Sequence, residues 1–151
     1  MNRDEIQNKI LHWASQLELD ANVVEDPSVD LLIVLTEKNL PPIHIVHPKP
    51  TSEYVIVMAL VSLSDQDHRK LVEMTYQKVE KLFWDVRFRL LSMGVDFKIA
   101  RPEKIPTGWE IQRKLFVEKA NEQDFYETYI KVKNSVFCVA WSHRQILDLE
   151  P

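Results

Sequence analysis

Residues 64–94 read SDQDHRKLVEMTYQKVEKLFWDVRFRLLSMG. Ser64, with Asp67 three positions on, is a helix start: a hydroxyl that can accept from the first free amides, then a carboxylate at the positive end of the helix. No Pro or Gly interrupts the run before Gly94, a terminator. The spacing therefore predicts one helix from Ser64 to Met93, about 29 residues and roughly 43 Å long. Its apolar residues fall into two sets at about 100° per residue. Val72, Val79, Leu82, Phe83, Val86, Leu90 and Met93 share a broad stripe, while Trp84, Phe88 and Leu91 form a separate patch. One set can pack on a sheet; the other needs its own cover. Either another helix of the same chain supplies it or a partner chain does, because large apolar patches rarely stay bare on monomers.

On the N-terminal side of this helix the pattern belongs to strands. Between Val23 and Leu63, Val29–Thr36 is a nearly continuous apolar run, followed by Ile43–Val46 and Tyr54–Leu63. Pro41, Pro42, Pro48 and Pro50 separate them, and proline cannot donate to a sheet ladder. The short connections suit an antiparallel meander. Ahead of it, Ile6, Ile10, Trp13 and Leu17 recur at helical spacing, and Asn2 with Glu5 forms a capped start.

On the C-terminal side, Val95, Phe97 and Ile99 alternate with polar neighbours as a half-buried strand. Pro102, Pro106 and Gly108 make a loop, and Trp109, Ile111, Leu115 and Val117 share one face of a second strand. The two form a hairpin. Asn121 and Asp124 open a last helix with Phe125, Tyr129, Val132, Val136 and Ala140 on one face, widened by Tyr126, Ile130, Phe137 and Trp141. Val136–Trp141 is apolar enough to be read as a strand instead. The fold class is α+β, in the order α-β-β-β-α-β-β-α, with an antiparallel sheet packed against helices and residues 1–151 forming a single domain.

This order of elements, the Ile43-His44-Ile45 segment after a proline pair, and the overall length resemble the type III secretion chaperone-like fold, as in a family of uncharacterised archaeal proteins. The resemblance covers most of the chain at the level of topology, without a fixed motif. It implies a curved sheet, a homodimer and a binding surface.

Composition narrows the function. The chain has 151 residues, 45% apolar and 28% charged, with a net charge of −4. No apolar run approaches the roughly 20 residues of a membrane span, and residues 1–4 are polar enough to point to a cytoplasmic protein. Cys138 is the single cysteine, so an internal disulfide and a thiolate metal cage are excluded. On a helical wheel it falls towards the polar side. Charge is divided unevenly: residues 1–67 carry four Lys or Arg against eleven Asp or Glu, and residues 68–151 carry fifteen against twelve. Such an imbalance favours antiparallel self-association or charge-matched partners, although mixed folds also show it by chance.

Catalytic patterns are absent. With two glycines, Gly94 and Gly108, no glycine-rich phosphate cradle can form, and neither a nucleophile elbow nor a zinc-protease helix motif occurs. His44 and His47 point to opposite faces of a strand and do not converge on a metal. His12, His68 and His143 lie in helical segments without ligand partners. Glu25 with Asp26 reads as a turn before Pro27, and Asp65 with Asp67 as a helix first turn. Trp84 and Phe88 interleave with Lys78, Lys81, Arg87 and Arg89 as on a single-strand nucleic-acid surface, yet Glu80, Asp85 and the acidic whole argue against it. No cofactor or metal is expected.

The leading expectation is a homodimeric protein-interaction or chaperone-like module with Trp84, Phe88 and Leu91 as partner-binding residues. A small-ligand or regulatory binding protein, with a pocket between sheet and helices lined by Trp109 and Tyr54, is the alternative. An enzyme with residues assembled from distant segments comes third.

Overall fold

Six strands build an open, curved antiparallel sheet, and every helix that packs on it lies on one side. The computed structural model describes residues 1–48, 53–101 and 104–148; Pro50 and Pro102, read as loop markers, lie outside them. The elements run α1 (Arg3–Gln16), β1 (Asp20–Val24), β2 (Leu31–Thr36), β3 (Ile43–His47), β4 (Val55–Ser62), α2 (Asp65–Glu73), α3 (Tyr76–Ser92), β5 (Asp96–Ala100), β6 (Gly108–Leu115) and α4 (Glu122–Leu147). The spatial order of strands is β1-β2-β3-β4-β6-β5, so β1 and β5 are the two edges. The expected fold class is the observed one, with one strand more and one helix divided.

Period-two alternation decides which residues meet the helices. Leu31, Ile33 and Leu35 of β2, Ile43 and Ile45 of β3, Val55, Val57 and Ala59 of β4, and Trp109 and Ile111 of β6 are all buried on the helix side. Burying a large aliphatic or aromatic side chain stabilises the fold by about 1.5–3 kcal/mol each, before ordering entropy is set against it. α1 begins with the expected capping box between Asn2 and Glu5 and buries Ile6, Ile10 and Trp13. α4 begins with the Asn121–Asp124 box and stays helical through Val136–Trp141 to Leu147, so the strand reading of that segment does not hold.

The long-helix expectation is corrected. Met74 and Thr75 adopt extended backbone (ψ 155° and 151°), and the Thr75 side chain accepts from the Lys78 amide to start α3. The break lets the two segments serve different neighbours. α2 turns Leu71 into the core and holds the end of α4 through Lys70, whose Nζ donates to the Leu147 carbonyl, and through the Asp67–Arg144 ion pair. Val72, placed in the apolar stripe by a continuous helix, is exposed. α3 lies over the β5–β6 hairpin: Phe83 stacks on Trp109 with centroids 5.2 Å apart, and Arg101, just past β5, bridges Glu80 at 3.1 Å. Gly94, at φ +72°, then turns the chain from α3 directly into β5.

α4 differs from expectation in its outer positions. Phe125, Tyr129, Val132 and Val136 are buried as read, but Tyr126 and Trp141 are exposed, and the buried arc runs through Thr128, Ser135, Ser142 and His143 instead. Small hydroxyl residues let α4 approach its neighbours closely; Thr128 and Ser135 donate to carbonyls four residues back in the same helix. A second polar tie holds the β2–β3 turn to α4. The Tyr129 hydroxyl donates to Glu37 at 2.6 Å and Lys133 pairs with the same carboxylate at 2.7 Å. Burial pushes Glu37 towards protonation, but the hydrogen bonds from Lys133 and Tyr129 outweigh it and hold its pKa below the usual carboxylate value. Burial and the Glu37 carboxylate together raise the Tyr129 pKa far above that of a free phenol.

Candidate functional site

Trp84, Phe88 and Leu91 are brought together on the outer flank of α3, 50%, 63% and 64% exposed, and among the described residues no segment covers them. Their neighbours fix which flank this is. Arg89, on the opposite side of the helix, donates to Ser142 of α4, whereas Glu80, on the patch side, reaches Arg101 beyond β5. The patch therefore faces away from α4, above the rim where β5 closes the sheet. Trp84 and Phe88 stand with ring centroids 5.9 Å apart, and the Arg87 guanidinium lies over the Trp84 ring at 4.3 Å. One Arg87 nitrogen, Nη1, is buried without a hydrogen-bond partner. Aromatic and arginine side chains in this association are the composition found where partner chains bind most strongly. A covering helix within the chain is not what the fold supplies: α1 and α4 are spent on the sheet face.

Other apolar surface is also bare. On the sheet side away from the helices, Leu32, Val34, Val46, Ile56 and Met58 are half-buried by one another, and Leu60 is exposed. Between α3 and α4, Arg89, Met93, Phe137, Cys138 and Trp141 line an open groove of about 420 Å³. Phe137 and Trp141 stack there at 5.2 Å, and Arg89 donates to Ser142 at 2.5 Å. Cys138 is half-buried in this wall, in keeping with its place on the wheel. The two aromatic residues read as pocket walls do not meet. Trp109 is 1% exposed inside the core, while Tyr54 stands against Phe116 at the other end of the β4–β6 pair.

The interior holds a polar cluster that sequence spacing did not bring out. The Trp109 indole N–H donates to Nε2 of His143 at 2.9 Å, and Asp67, 4% exposed, pairs with Arg144. Burial lowers the His143 pKa to about 4, partly offset by the Asp67 carboxylate and reinforced by Arg144. A perturbed histidine beside a carboxylate is a catalytic signature only where substrate can reach it. Here the ring is 3% exposed and its Nε2 lone pair is occupied by the indole, so the cluster holds α2, β6 and α4 together. The signal in the sequence was weak: His143 and Asp67 are 76 positions apart, at the ends of different helices.

The other candidate ligands stay apart. His44 lies on the bare sheet face and His47 on the helix side, where its Nδ1 meets Asp30 at 2.8 Å. Asp26 accepts from Ser28 in a turn at Pro27. Among the described residues no group of three or more His, Cys, Asp or Glu could hold a metal ion, and no helix is long and apolar enough to cross a membrane.

An antiparallel sheet with one helix-covered face and an exposed apolar patch over its rim defines an α+β protein. The chain belongs to the family described as uncharacterized conserved protein DUF2299, whose model matches residues 6–142. The crystal structure of an uncharacterized protein from Methanothermobacter thermautotrophicus is similar in fold, with a TM-score of 0.84 at 20% identity over 93% of this chain and 97% of that one. That likeness shows the architecture alone. No curated protein matches the sequence.

Proposed function

We propose that this protein is a homodimeric protein-interaction module, chaperone-like in acting by binding, with Trp84, Phe88 and Leu91 as its self-association surface. The observation that carries the reading is their joint exposure on one helix flank, since three large apolar side chains left in water forfeit burial energy that a partner would supply. A cytoplasmic site of action fits a chain with one cysteine. Light scattering over a dilution series tests it. The native chain gives a dimer mass that falls on dilution, and Trp84→Asp gives a monomer of unchanged secondary structure. Identical masses for the two chains would sink the reading.

A second reading, small-ligand binding, is favoured by the groove between α3 and α4, where Arg89 stands beside the Phe137–Trp141 stack. An aromatic carboxylate would suit that lining. Thermal-shift screening with indole and phenyl carboxylic acids decides it: a ligand of the folded state must raise the melting temperature.

A further inference from the structure

We infer that the dimer forms edge to edge: β5 pairs antiparallel with β5 of a second copy about a two-fold axis at Phe97, joining two six-stranded sheets into one and setting α3 against its mate. This rests on the homodimer reading above and specifies its geometry.

Three independent features of one rim point there. The first is the open edge. β5 bonds to β6 on one side, and its other side ends the sheet, leaving a row of backbone donors and acceptors to be paired. The second is the sequence of that edge, Asp96-Phe97-Lys98. An axis perpendicular to the sheet at Phe97 sets Asp96 opposite Lys98 of the partner subunit, and Lys98 opposite the partner subunit's Asp96. Both residues are exposed and both lie on the face away from the helices. Lys98 already stands opposite Glu110 of β6, so the row would run Glu110, Lys98, then the partner's Asp96, alternating in sign across the junction. An axis one residue further on, at Lys98, would instead face two ammonium groups directly, which is destabilising. The edge is thus self-complementary in one register. On the helix side, that register stacks Phe97 against its own copy.

The third feature is that the apolar patch shares this axis. Phe97 lies three residues past Gly94, roughly 10 Å back along the strand. The same length along α3 at about 1.5 Å per residue reaches Val86 and Arg87, in the middle of the Trp84–Leu91 patch. Phe88 would then meet Phe88 of the partner subunit, with Trp84 near the partner's Leu91.

Charge exchange at the edge tests the register, and the Trp84→Asp experiment reads separately whether a dimer exists. Lys98→Asp places carboxylates opposite each other at both symmetric positions, and Asp96→Lys does the same with ammonium groups. Each should raise the dimer dissociation constant roughly 10- to 100-fold. The double variant Asp96→Lys/Lys98→Asp keeps the net charge and restores opposite pairs at the junction, although it sets a carboxylate opposite Glu110, so it should dimerise more tightly than either single variant. Mixing the two single variants should give a heterodimer where each alone is mostly monomeric. If the single variants dimerise as tightly as the native chain while Trp84→Asp does not, the edge pairing is wrong and the homodimer reading stands. If the native chain is monomeric throughout, both fall.

Discussion

Trp109 of β6 and His143 of α4 are joined through the core by a hydrogen bond of 2.9 Å, from the indole N–H to Nε2 of the imidazole. With Nε2 accepting, the neutral ring carries its proton on Nδ1, which is buried without a partner, as is Oδ1 of Asp67. The contact thus fixes both tautomer and charge: a protonated ring could not accept from Trp109.

Acid should therefore weaken the fold through this residue. The His143 pKa is about 4 in the fold against an ordinary 6.5, so the unfolded chain takes the proton first. The stabilisation is complete above pH 6.5 and is lost as the pH falls towards 4, about 3 kcal/mol in all. Urea unfolding at pH 7, 5.5 and 4 measures it. His143→Gln keeps an acceptor for the indole but does not titrate, and should flatten that part of the profile. An equal pH slope in both proteins would show that His143 does not carry it.

The break between α2 and α3 depends on Thr75. Its side chain caps α3 at the Lys78 amide, and Thr75→Ala should cost about 1 kcal/mol, lowering the melting temperature by roughly 2–4 °C. Thermal unfolding by circular dichroism checks this. If the alanine variant melts at or above the native temperature, the cap is dispensable and a continuous helix is within the chain's reach.

That break shows where the sequence was legible. Asn2, Ser64 and Asn121 each sit ahead of a helix with a carboxylate three residues on, and all three helix starts are as read. Thr75 is followed at that position by Lys78, which cannot answer as Glu or Asp would, and the surrounding residues are good helix formers. The break became visible only where tertiary contacts draw α2 and α3 apart. β1 escaped for another reason. It is an edge strand in which only Ala21 packs towards the core, so Asp20–Val24 lacks the apolar alternation that marked β2 to β4. The Trp84 patch was legible because helical periodicity alone separates it from the buried stripe. The Asp67–Arg144–His143–Trp109 cluster was not, because its members come from three elements.

Gly108 is required by close approach. A Cβ built there would lie 2.4 Å from the Val61 carbonyl oxygen, a backbone atom of the adjoining strand. Gly108→Ala must push β6 from β4 beside Trp109, and should cost on the order of 1–3 kcal/mol. Hydrogen exchange should quicken at residues 60–62 more than at 43–47 on the far side of β4. Uniform exchange and unchanged stability would mean that the strands give way freely.

The exposed face of α3 makes a prediction about concentration. In an isolated chain Trp84 and Leu91 are half or more in water, so Trp84→Asp/Leu91→Asp should alter monomer stability by only about 0.5 kcal/mol. A dimer that buries them adds stability by mass action, and its melting temperature climbs with protein concentration. Calorimetry across a hundredfold range of concentration should therefore show a rising transition for the native chain and a fixed, lower one for the double variant. The two should converge at the dilute end, where the native dimer has dissociated. A native transition independent of concentration, equal to that of the variant, would mean that the patch lies open in solution and that self-association is not what it is for.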